Sequence, residues 1–169
     1  LDTTQLSGLS VTQLAALSTA QVNALSTSGV QGLAATSLTA LSTSQVAALS
    51  TSQVAALTTS QVKDMATKTI AALSSTQLNA LGTSQVASLT KQLVAALTTG
   101  QVAGLSTGSL KVLTTDNIAG LTNNQVKALT TTQVAALTTG QVKAIETGDI
   151  AVLSTAQVAA LDTTQVGVL

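Results

Sequence analysis

Every eighth residue of this chain is large and apolar, from Leu1 to Leu169, and it is Leu at each place except Met65 and Ile145. The period runs through 21 octads without an insertion or deletion (21 × 8 = 168, then Leu169). That regularity restricts the fold. An unbroken α-helix advances about 100° per residue, so leucines eight apart drift by about 80° and never form a seam. Coiled coils need an apolar repeat near 3.5 or 3.67 residues. The backbone must therefore bend or restart once per octad.

The restart signal is visible in Leu57-Thr58-Thr59-Ser60-Gln61-Val62. Thr58 is a good N-cap, and Gln61, three residues later, can return a bond to the Thr58 backbone amide, forming a capping box. Leu57 and Val62 flank it at the places of a hydrophobic staple. The residue after the octad apolar position is Ser, Thr or Asp in 17 of 21 octads, the preferred capping set. Gln stands at the fifth place in 14, and Val, Leu or Ile at the sixth in all 21. The octad closes mainly on Ala, a strong helix former. Each octad reads as a helix of about one and a half turns.

Such a helix cannot stand alone, because isolated helices below roughly 12–15 residues are marginal in water. Burying one Leu and one Val also falls short of the entropy lost in ordering eight residues. Stability must come from stacking, so the sequence predicts an all-α solenoid or superhelix of very short helices, one per octad. Leu and Val point inward in that reading, and Lys and Asn outward. A β-solenoid with 8- or 16-residue units is the rival: eight is even, and Thr and Val favour strands. Against it, the octad Leu and the sixth-place Val fall on opposite strand faces. The 11 Gly are also scattered over several octad places rather than marking turns.

Composition narrows the function. The chain has no Phe, Trp, Tyr, Cys, His, Pro or Arg, and six Lys balance six acidic residues. It lacks both the positive charge that neutralises phosphates and the aromatic surfaces that stack bases, so nucleic acid is not an expected partner. The longest apolar run, Leu93 to Leu97, is far shorter than a membrane span. No composition break divides the array, so residues 1–169 are read as one domain, an excerpt of a longer protein.

A second rhythm is suggested by octads that exchange Gln for a smaller polar residue and carry Leu or Ile at the sixth place. They start at 33, 65, 105, 113 and 145, and four of these starts are separated by multiples of 16. Lys63, Lys111, Lys127 and Lys143 share one octad place at similar spacings. The expectation is a two-octad layer in which alternate octads are more exposed.

No residue qualifies as catalytic, cofactor-binding or metal-ligating. Asp116, Glu146 and Asp149 lack the oxygen-rich loop a hard cation needs and read as solvated loop acids. Lys63 beside Asp64 reads as a surface pair. Ser and Thr have no His to act as base. Rows such as Thr43, Thr51 and Thr59 could instead present a flat hydroxyl array.

Leu57-Thr58-Thr59-Ser60-Gln61-Val62 resembles the opening of the first helix in TAL-effector DNA-binding repeats. The second helix and the basic residues of that family are missing, so the resemblance implies helix-start chemistry and not DNA reading. The whole array resembles low-complexity octapeptide regions, LTTxQVAA in type, of large bacterial surface and secreted proteins. That resemblance implies an extracellular or cell-surface setting and a non-catalytic rod, spacer, stalk, filament or sheath component. Its partners would be neighbouring repeats or further copies of itself, through lateral or homopolymeric assembly. The alternative function is an ice- or polysaccharide-binding module using the Thr/Ser face.

Overall fold

The computed structural model describes residues 5, 6 and 8–169. Among them, twenty helices of four to six residues follow one another, from α1 (Val11–Ala15) to α20 (Thr163–Val166), one per octad. No described residue lies in a strand. The β-solenoid rival is thereby overturned, and the octads form the short-helix solenoid.

Sixteen of the twenty helices begin on a side-chain cap; those with Ala34, Ala66, Gly82 and Glu146 at the N-cap do not. At α5 (Thr43–Ala47) the Gln45 amide donates to Ser42 Oγ at 3.2 Å, and the Ser42 amide donates to Gln45 Oε1 at 2.8 Å. The helix ends when the Leu49 amide donates to the Val46 carbonyl at 3.1 Å, a tight i→i−3 closure. Two extended residues then turn the corner. After α3 (Thr27–Gly32), Leu33 has φ −67° and ψ 139°, and Ala34 has φ −63° and ψ 150°. These angles lie near polyproline II, which any residue adopts. No described residue has a positive φ. The corners therefore need no glycine, which explains why Gly follows no octad rule.

The packing order is uniform. Helix α1 packs on α4 (Ala35–Ala40), α5 on α8 (Thr67–Ala72), and so on out to α17 (Thr139–Ala144) on α20. One layer is thus three octads, 3 × 8 = 24 residues, and the chain winds as a three-sided superhelix. The expected two-octad layer is wrong. Spacings of 16 or 32 residues place residues on different sides of the rod, and only those of 48, two layers of 24, keep one side, so 16 corresponds to no structural unit.

The interior is one continuous aliphatic column from Leu6 to Ile145. Val22, Val54, Val62 and Val126 are completely buried, and Leu41, Leu57 and Leu129 are nearly so. Successive layers approach closely. A Cβ on Gly104 would collide with the Ser75 side chain one layer below, so glycine is required there by contact and not by dihedral angle. All six Lys are exposed, as are Asn23, Asn79 and Asn123. Asn117 breaks the outward expectation: it is buried, because it occupies the Gln place of its octad.

Candidate functional site

The polar centre of most octads is a glutamine, which from Gln45 onward joins layers. Gln53 lies in α6 (Thr51–Ala55) and is buried. Its Oε1 accepts from the Ser50 amide at 2.7 Å, completing the capping box. Its Nε2 reaches the previous layer and donates to the carbonyls of Val22 at 2.9 Å, Asn23 at 3.1 Å and Leu25 at 2.8 Å. Those carbonyls end α2 (Thr19–Asn23) and begin the next corner, where a helix leaves acceptors short of intrahelical donors; the Val22 carbonyl also takes the Leu25 amide at 3.2 Å. One side chain therefore starts its own helix and caps another about thirty residues earlier. Gln61, Gln77, Gln125, Gln133, Gln141, Gln157 and Gln165 make the same three-way bond at spacings of 31, 30 and 28 residues.

Other residue types in this slot reproduce the joint in part. Asn117 accepts from the Thr114 amide at 3.0 Å and donates to the Leu89 carbonyl at 2.9 Å. The shorter side chain keeps one carbonyl of the three. Leu93 fills its slot with a buried apolar group that donates nothing. Thr69 and Asp149 are buried in theirs, and Thr69 Oγ1 and Asp149 Oδ1 have no hydrogen-bond partner.

The residues weighed from sequence do not converge. Asp116 and Glu146 are exposed, as expected of solvated acids. Asp149 is not a loop acid. It lies within α18 (Thr147–Ile150) and is only 5 % exposed, because the glutamine slot turns inward. Burial, and secondarily the Glu146 carboxylate, pushes the Asp149 carboxyl above the usual range. At the other extreme, Asp162 caps α20, and the Gln165 amide donating to it at 2.7 Å holds its carboxyl below that range. The signal for both was positional: the octad register marks Asp149 as a glutamine substitute and Asp162 as a cap.

Lys63 and Asp64 are both exposed at the end of α7 (Thr59–Lys63). Thr43, Thr51 and Thr59 are exposed too. Being eight residues apart, they sit on three different sides and form no common row. The residues that share a side are 24 apart: Thr59, Thr83, Thr107, Thr131 and Thr155 make an unbroken threonine column, one per layer. A shallow cleft of about 330 Å³ lies near the last layer, lined by Val142, Lys143, Ile145, Thr147 and Ile150 among others. Among the described residues no group of three or more His, Cys, Asp or Glu could hold a metal ion. No helix there is long and apolar enough to cross a membrane.

Five segments, residues 1–35, 36–67, 59–91, 94–123 and 142–169, match the family model of the ALTTAQ repeat. No curated protein and no solved structure matches the chain.

Proposed function

The chain belongs to the ALTTAQ repeat family, and from that premise we propose that it is a non-catalytic structural array, a rod or spacer within a larger assembly. The observation that carries the reading is the glutamine joint: from Gln45 onward, each fifth-place glutamine of the repeat is spent on tying one layer to the next. Short helices whose stability resides in neighbour contacts lengthen by simple addition of octads, which suits a stalk, filament or sheath component. The proposed setting is the outside of a bacterial cell, and the proposed partners are further repeats or copies of the same chain. The support for that setting is the likeness in repeat style to octapeptide regions of surface proteins.

Arrays lengthened three octads at a time test the rod. Small-angle scattering should show the longest dimension growing by about 8–10 Å per added 24 residues, one helix-packing distance. Growth of the cross-section instead would contradict it. Turnover of any substrate by the purified array would contradict the non-catalytic reading.

A second reading, recognition of ice or polysaccharide, draws on the threonine column from Thr59 to Thr155. Replacing Thr83, Thr107 and Thr131 together by Ala should abolish binding while the helical circular dichroism persists. Unchanged binding would end that reading.

A further inference from the structure

We propose that the octad carrying Asp149 is a proton-dependent joint, closed when the Asp149 carboxyl is neutral and loosened when it ionises. From Gln45 onward, in every octad whose slot holds Gln, and in that of Asn117, the slot residue offers an N–H to the carbonyls of the layer below. By the same register, the carbonyls opposite Asp149 are those of Ile118, Ala119 and Leu121, 31, 30 and 28 residues back. An ionised carboxylate has only acceptors to offer them. Its Oδ1 is buried without a partner, which is costly for a charged group and unnecessary for a protonated one. The neutral acid matches Asn117 atom for atom. Protonated, its carbonyl oxygen would accept from the Glu146 amide and its O–H would donate to the Leu121 carbonyl, as the Asn117 amide does with Thr114 and Leu89.

The charged groups on the surrounding elements do not offset the ionised form. Glu146, on the same octad, opposes it. Lys127 on α15 (Asn123–Ala128), Asp116 on α14 (Thr115–Ile118) and Lys143 on α17 are all exposed to solvent. Because the native carboxyl titrates higher than in the unfolded chain, the contribution of Asp149 is fully present below the unfolded value. It is lost as pH rises through the folded one.

The test compares wild type with Asp149→Asn and Asp149→Gln, following backbone amide exchange at residues 118–121 and 147–153 across pH 3 to 8, each rate corrected for intrinsic exchange. The expected result is wild-type protection that falls at least tenfold relative to Asp149→Asn as pH rises, while the two agree at acid pH. Asp149→Gln, the residue most octads carry, should remain protected throughout. Equal pH profiles for wild type and Asp149→Asn would overturn the proposal. So would protection of wild type at neutral pH by millimolar Ca²⁺ that Asp149→Asn does not share, since the carboxylate would then be a cation ligand.

Discussion

The Gln53 side-chain amide donates to the Leu25 carbonyl at 2.8 Å, across 28 residues of chain and one layer of the superhelix. The same side chain accepts from the Ser50 amide in its own octad. Local capping and long-range stacking are therefore a single structural act, and the glutamine is the residue that couples them.

Removing that coupling should be expensive for a polar truncation. Gln53→Ala removes the side-chain donor from three carbonyls, of which that of Val22 keeps the Leu25 amide, and leaves the Ser50 amide without its partner, and should cost about 1–3 kcal/mol in urea unfolding. Gln53→Leu, for which Leu93 is the natural precedent, should cost less than Gln53→Ala, because it refills the volume. A cost for Gln53→Ala within error of zero would show that the joint adds nothing.

The cap and the glutamine act as a pair. Ser50→Ala should cost about 1 kcal/mol on its own. Combined with Gln53→Ala the two losses should fall short of their sum, since both serve one capping box. Backbone chemical shifts at residues 51–55 should still report helix, because α4 and α8 form on Ala34 and Ala66 with no side-chain cap.

Core and surface should separate sharply. Leu78 is 1 % exposed, and Leu78→Ala should destabilise the array by about 2–5 kcal/mol. Thr76→Ala, on the exposed face of the same helix, should stay within about 0.5 kcal/mol.

Two glycines should answer in opposite directions. Gly104→Ala drives a methyl into Ser75 and should destabilise by about 1–3 kcal/mol. Gly148→Ala meets nothing within 4 Å and sits in a helix, so it should stabilise by about 0.5–1 kcal/mol. Thermal unfolding of the two single variants is sufficient to tell them apart.

The two perturbed carboxyls should impose opposite pH slopes. Asp162 titrates low when folded, so its contribution is present above the unfolded value and lost as pH falls through the folded one. Asp162→Asn should remove an acid-side loss of protection at α20 and leave α18 untouched.

What the octad alone reveals is what neighbouring residues decide among themselves. The capping box of Thr58 and Gln61 depends on contacts within four residues, and the inward place of Leu57 and Val62 follows from the octad period, so both are legible in the sequence. The number of octads per layer is not. It follows from the angle of the two-residue corner and from bonds such as Gln53 to Leu25, which no local pattern encodes. For the same reason Thr43, Thr51 and Thr59 read as one row although they face three ways, whereas Thr59, Thr83 and Thr107 form the true column. Polar character alone puts Asn117 and Asp149 on the surface, where register buries them. Their octad place, shared with Gln, was the informative signal.

The spacing of layers is the most direct test of this architecture. Spin labels at Thr59→Cys paired in turn with Thr107→Cys, Thr131→Cys and Thr155→Cys should give pulsed-EPR distances rising by one constant step per 24 residues. Helices packed about 8–10 Å apart predict roughly 32–40 Å across the four layers from residue 59 to residue 155. A step near 4.8 Å, the spacing of paired strands, or a broad distribution without a common step, would contradict a rod of stacked helices joined through glutamine.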